Sequence, residues 1–138
     1  MIDFDPALVI AGVVAGAAPI VMAALGETLT EKTGVVNLSL DGTILLAAMA
    51  SFAVALETGS LLAGFCAGAF VGAVVAGIVA GFGIYLGQNQ VAVGFVLTLT
   101  TRDLAYFVGN SYSRVPGPHT APAPIPLLSD LPFLGTAV

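Results

Sequence analysis

The chain has 138 residues, 58% of them hydrophobic and only 8% charged, with three basic and eight acidic side chains. A soluble domain carries about 25% charged residues, so a water-soluble fold of this size could not cover its surface with polar groups. The net charge of −5 includes no basic patch for nucleic acid, and a mean hydropathy of +1.06 points to an all-α, polytopic transmembrane helix bundle embedded in a lipid bilayer.

The uncharged runs set the number of spans. Residues 6–26 hold no acidic or basic side chain, residues 34–56 hold one, Asp41, and no charge lies between Glu57 and Arg102. About 20 apolar residues cross a bilayer core as a helix, which predicts four spans over residues 7–26, 34–56, 60–86 and 91–109. The first span opens with Asp3 and Asp5 instead of a basic segment, and its apolar run is too long for a cleaved leader, so it reads as a permanent span. Pro19 lies inside it, tolerable where neighbouring helices re-satisfy the freed carbonyl. Glu27, Glu31 and Lys32 follow at its end; the two glutamates, four apart, share a face.

The second span is interrupted. Residues 34–42, GVVNLSLDG, are too polar for a lipid-facing helix and too apolar for a plain loop. They feed into residues 43–56, which alone are short for a crossing. A broken element is expected, with irregular backbone followed by helix; such backbone is tolerated at membrane depth only beside protein or a water-filled cavity. In the third span Gly64, Gly68 and Gly72 form one row of small residues, and Ala69, Ala73, Gly77 and Gly81 a second. Small-xxx-small rows let helix backbones approach closely, so this helix is expected to pack on two sides.

A polar hinge, residues 87–90 (GQNQ), precedes the fourth span, which carries Thr98, Thr100 and Thr101, then Arg102 and Asp103. Adjacent opposite charges inside a span remain costly, so either they pair with other helices or the span is broken there. From residue 109 the character changes, and six of the eight prolines fall in residues 115–138. That density favours extended, polyproline-like chain and predicts a transmembrane domain over residues 1–114 followed by a proline-rich extramembrane connector. His119 and Asp130 lie in the connector and are read as solvated loop residues. Cys66 stands alone inside an apolar span and is expected to be buried and inert.

Catalytic chemistry is not expected. No phosphate-binding glycine loop ending in Gly-Lys-Ser/Thr occurs; residues 81–87, GFGIYLG, miss the dinucleotide-binding spacing; and neither a His/Cys metal cluster nor a nucleophile–base pair can be assembled. No catalytic residue, metal site or cofactor is assigned. The candidate site is the set of intramembrane polar groups, functional candidates by default. Asn37, Ser39 and Asp41 could offer hydrogen bonds to a polar solute at depth, or Asn37 and Asp41 could cap the second helix; both roles can hold together. Glu27 is a candidate gate or inter-helix contact. Asn89 is a further path candidate, although it and Gln90 read more simply as helix-entry residues.

Three landmarks in order resemble one family. Residues 26–42, GETLTEKTGVVNLSLDG, resemble the early signature of ATP-binding-cassette (ABC) permeases for simple sugars and nucleosides, within the branched-chain amino-acid and ribose permease superfamily. That signature reads Gly-Glu, a short charged stretch, then Gly-Val-x-Asn-Leu and Glu-Gly. Residues 89–100, NQVAVGFVLTLT, resemble the Asn-Gln-Val opening of the next conserved span, and SYSRVPGP with PIPLLSDLPFLG resembles the connector after it. Asp41 stands where relatives usually have Glu, and Arg102 and Asp103 stand where they are usually apolar or small. The resemblance implies a membrane-spanning permease subunit that forms the translocation path while a separate ABC ATPase supplies energy. It also implies a second permease subunit, an extracytoplasmic substrate-binding protein and a multi-pass location in a prokaryotic plasma (inner) membrane. Because family members continue with further spans and a cytoplasmic coupling segment, the chain reads as the N-terminal part of a larger permease. The family pattern places the N-terminus and the connector outside, with Lys32 and residues 87–90 inside. The competing readings are a small self-associating membrane channel or structural subunit and, more distantly, a proton-coupled carrier using Glu27 or Asp41.

Overall fold

In the computed structural model, which describes residues 6–118, regular structure is entirely helical among those residues. Helix α1 spans Pro6–Lys32, α2 Leu40–Thr58, α3 Leu61–Ala80 and α4 Gln90–Gly109. A π-turn, Gly81–Tyr85, prolongs α3, and a 3-10 turn, Asn110–Tyr112, follows α4. Four segments, Val9–Lys32, Leu40–Thr58, Leu61–Tyr85 and Gln90–Tyr112, are long and apolar enough to cross a membrane, which bears out a four-helix transmembrane architecture. The connector beyond residue 118, with His119 and Asp130, lies outside the described residues.

Helix α1 up to Thr28 belongs to one compact unit; a second begins at Leu29 and holds the remaining described helices. Pro6 opens α1 at the position where a missing N–H costs nothing. Pro19 lies inside the helix, which runs on unbroken. Its end is built from backbone. The Gly34 N–H donates to the Glu31 carbonyl at 2.9 Å and the Val35 N–H to the Thr30 carbonyl at 3.0 Å, the paired bonds of a Schellman cap. Gly34 sits at φ +81°, the left-handed conformation that this cap needs and that glycine adopts without strain.

Helix α2 starts three residues before the expected Thr43 and runs two residues past Leu56. Leu40, Asp41 and Gly42 are therefore helical, and the irregular stretch shrinks to residues 33–39. At 1.5 Å per residue, α2 is about 28 Å long, enough to span most of a bilayer core without the irregular segment. Gly59, at φ +66°, ends α2, and Ser60 caps α3 by accepting the Ala63 N–H at 3.3 Å. Two residues thus turn the chain back on itself.

The α2–α3 seam depends on missing side chains. A Cβ at Gly64 would lie 2.7 Å from the Ser51 carbonyl oxygen and 2.8 Å from the Ala55 Cβ. At Gly68 it would overlap the Ser51 hydroxyl. The pairing of 64 with 55 and of 68 with 51 makes the two helices antiparallel. The second small-residue row behaves differently: nothing lies within 4 Å of a Cβ built at Gly77 or Gly81, and Ala69, Ala73 and Gly77 are exposed. The first row stops at Gly68, since Gly72 too has open space. Among the described residues only one face of α3 is packed by small residues. Cys66 is exposed rather than buried, because it falls off that face.

Helix α4 runs parallel to α2. Gly42 meets Thr98 and Thr101, and further along Gly109 meets Met49. Of the two readings of Arg102 and Asp103, a broken span is ruled out, since α4 is continuous through both. The buried apolar core is small-grained: Ala55, Val75, Val79 and Ala105 are inside, whereas Phe65, Phe70, Tyr85 and Phe107 are at least two-thirds exposed. A soluble protein buries its largest apolar side chains; here they face outward, as lipid-exposed surfaces require.

Gly64→Ala is expected to lower stability by about 1–3 kcal/mol through overpacking against Ser51 and Ala55. Gly72→Ala, with no neighbour to strike, should be neutral or slightly stabilising, since alanine is the better helix former by about 1 kcal/mol. Thermal unfolding of the two variants in detergent micelles checks the contrast.

Candidate functional site

Between the cap of α1 and the first turn of α2, residues 35–37 have no regular structure, and their backbone groups must find partners elsewhere. Helix α4 supplies them. The Gln90 Oε1 accepts the Val36 N–H at 2.9 Å, and two turns further on the Thr98 hydroxyl donates to the Leu38 carbonyl. Between these anchors Gly94 removes the obstacle: a Cβ there would stand 2.8 Å from the Leu38 nitrogen. At Gly42 a Cβ would overlap the Thr98 carbonyl and the Thr101 hydroxyl. Gln90, Gly94, Thr98 and Thr101 thus form one stripe of α4, along which the broken segment is laid. Because Gln90 to Thr98 covers eight residues of helix, the start of α2 lies about 12 Å along α4, inside the candidate span.

Within the segment the side chains bond locally. Asn37 Oδ1 accepts both the Ser39 N–H, at 3.0 Å, and the Ser39 hydroxyl, at 2.6 Å. The Ser39 carbonyl accepts the Thr43 N–H at 3.0 Å and the Thr43 hydroxyl at 2.7 Å. Ser39 is 1% exposed and occupies the N-cap position of α2 without a side-chain capping bond. Asn37 therefore orders the entry to the helix through Ser39. Asp41, expected as a possible cap, instead sits in the first turn of α2 with its side chain exposed. There the partial positive charge of the helix N-terminus favours its carboxylate.

The structure brings Asn37, Ser39 and Asp41 together at the start of α2. It places Asn89 at the entry of α4, where its Oδ1 accepts the Val91 and Ala92 N–H groups at 3.0 and 3.2 Å, an N-cap. Glu27 lies half-buried on α1 in the first compact unit. Gln90 and Thr98 bond the break to α4 and Thr101 packs against Gly42, although the sequence marks none of the three as a site residue. The available signal was their spacing, polar groups and a glycine at 90, 94, 98 and 101 on one face of an otherwise apolar helix. Further along the α2–α4 seam opens a groove of about 530 Å³, lined by Leu45, Met49, Phe52, Tyr106 and Asn110 among others. Among the described residues no cluster of His, Cys, Asp or Glu could hold a metal.

Comparison with known proteins follows this geometry. Residues 9–129 match the model of the family described as branched-chain amino acid transport system / permease component. A putative glucose ABC transporter permease protein of Haloferax volcanii is 35% identical over 99 residues, which cover 72% of this chain and 30% of that relative. The match thus spans less than a third of the relative's length. No solved structure matches. The chain belongs to the permease-component family of branched-chain amino acid transport systems.

Proposed function

We propose that this chain forms part of the solute path of an ABC importer for simple sugars or nucleosides, with sugar the better supported. The observation that carries the reading is the break before α2, anchored by Gln90 and Thr98, which sets Asn37 and Asp41 beside irregular backbone within the span. A hydroxylated solute leaving water loses hydrogen bonds that the path must replace. Asp41 offers two acceptor oxygens and Asn37 its amide N–H groups, while buried Ser39 shapes the turn that presents them. Asn89, at the entry of α4, and Glu27, on α1, serve as entry or gate residues. The name of the Haloferax relative favours a hexose over a nucleoside.

Energy comes from a separate ATPase, and a second permease subunit and an extracytoplasmic binding protein complete the importer in a prokaryotic plasma membrane. Helices α2 and α4 run parallel, so the starts of both share one side of the membrane and their ends share the other. The family resemblance puts residues 87–90 and the break in the cytoplasmic half and residues 113–118 outside, where a binding protein docks.

Two measurements test the reading. In cells carrying the complete importer, Asp41→Asn and Asn37→Ala are each expected to reduce labelled glucose uptake by roughly tenfold, the effect of losing a hydrogen bond involving a charged or buried polar group. Protein level should be unchanged, and uptake should stop when ATP is depleted. Full uptake by both variants removes the path assignment, and uptake that follows the proton gradient with ATP present favours a proton-coupled carrier. Separately, in a Cys66→Ser background, Val115→Cys should react with an impermeant thiol reagent on intact cells, and Gln88→Cys only after permeabilisation. The reverse pattern overturns the orientation.

A further inference from the structure

The stretch that joins α3 to α4 touches the interior at one position. Among residues 82–89 only Gly83 is buried. Val75 and Val79 are buried on α3, and Gly83 follows them at the same interval of four, on the face where the next core side chain belongs. No side chain is there. Gln90, the first residue of α4, fills the space instead: a Cβ at Gly83 would stand 2.9 Å from the Gln90 Cγ, closer than two carbons pack.

The backbone around Gly83 is fixed by its own bonds. Gly81–Tyr85 is a π-turn; the Leu86 N–H donates to the Gly81 carbonyl at 3.0 Å and the Gln88 N–H to the Phe82 carbonyl at 2.9 Å. Gly87 stands at φ +61°, which turns the chain toward α4 without strain. Such π-turns are rare and concentrate at functional sites. This one lies a single contact from the break, because the side chain that rests on Gly83 is also the one whose Oε1 accepts the Val36 N–H at 2.9 Å. Val36 adjoins Asn37. A glutamine at a helix start has several rotamers, and holding one of them costs entropy. Confinement against Gly83 removes rotamers that would turn the amide away from Val36.

We infer that Gly83 and Gln90 link the α3–α4 connection to the break, with Gln90 the positioning residue for Asn37 and Asp41 and Gly83 holding Gln90 in its working rotamer. A movement of the connection that lifts Gly83 away frees Gln90 and releases the Val36 N–H, so the connection controls the shape of the break. The linkage deepens the solute-path reading, on which its effect on uptake rests. Its effect on the break requires no solute.

Thiol accessibility of the break tests it, in native membranes carrying the complete importer. Ser39, 1% exposed, is replaced by cysteine in a Cys66→Ser background, and its rate of reaction with a small permeant maleimide is measured without solute. Gln90→Met keeps the volume but is a poor acceptor. It should raise the rate roughly five- to tenfold, the local opening expected from one lost hydrogen bond. Gln90→Glu keeps the acceptor and should leave the rate unchanged. Gly83→Ala should raise the rate as Gln90→Met does, whereas Gly81→Ala, in the same turn with nothing within 4 Å of its Cβ, should not. In a Gln90→Ala background, Gly83→Ala should add nothing. Should Gly83→Ala alone fail to accumulate, accumulation should return in that background, where the new Cβ has no Cγ to strike. The inference is overturned if Gly81→Ala matches Gly83→Ala, if the changes at 83 and 90 add, if accumulation does not return, or if Gln90→Met leaves the rate unchanged. Hexose uptake by the same membranes separates the two proposals. Faster labelling with uptake intact leaves the linkage standing and removes the solute-path assignment; unchanged labelling with uptake lost overturns the linkage and leaves that assignment in place.

Discussion

Every backbone N–H and C=O inside a bilayer must find a partner within the protein, and the interruption before α2 is arranged around that requirement. Seven residues, 33–39, lie outside helix geometry between α1 and α2. The segment survives because α4 offers a glutamine, a threonine and a glycine gap at helical spacing. The Gln90 and Thr98 bonds substitute for the intrahelical bonds that the break removes. Gly94 and Gly42 then allow backbone to lie against backbone. The remaining polar groups of the site, Asn37 and Asp41, owe their positions to this contact. Without it the cheapest solution would be continuous helix from α1 onward, and no polar surface would be presented at depth.

The same economy governs the rest of the second unit. With lipid as solvent there is little hydrophobic force between helices, and association relies on close packing of small residues. Gly64 and Gly68 against Ser51 and Ala55, and Gly109 against Met49, are contacts of this kind. Hydroxyls are consumed locally: Thr43, Thr58, Thr100 and Thr101 each donate to a carbonyl four residues back, so they cost little and specify little. Thr98 instead sends its hydroxyl across to the Leu38 carbonyl, and Tyr112 donates its own to Glu57.

Much of this was legible in the sequence because charge is so expensive in a membrane. The four spans, the interruption at residues 34–42 and the entry at Asn89 each follow from where polar residues are tolerated. The exact start of α2 did not follow, because it depends on Ser39 being sealed from solvent by its neighbours and bonded to Asn37, a tertiary effect. The long-range partners, Gln90 for Val36 and Thr98 for Leu38, were invisible for the same reason: sequence periodicity marks a face but not what lies across from it. The second row of small residues on α3 was legible as a pattern and misleading as a packing statement, since Ala69, Ala73 and Gly77 are exposed among the described residues. Arg102 and Asp103 stood out at once, and the structure removed one of their two explanations by showing α4 continuous.

The two-residue turn at Gly59 and Ser60 bears on how the protein enters the membrane during synthesis. Helix α2 is the weaker insertion signal, with a mean hydropathy of 1.6 against 2.3 for the α3 segment, and it carries Asp41 in its first turn. A turn that short cannot hold one helix in the bilayer while the other waits in water. The strongly apolar helix therefore draws the weaker one in with it, as a single hairpin already zipped by Gly64 and Gly68. A polar interruption that would hinder an isolated segment is in this way carried to depth by its neighbour.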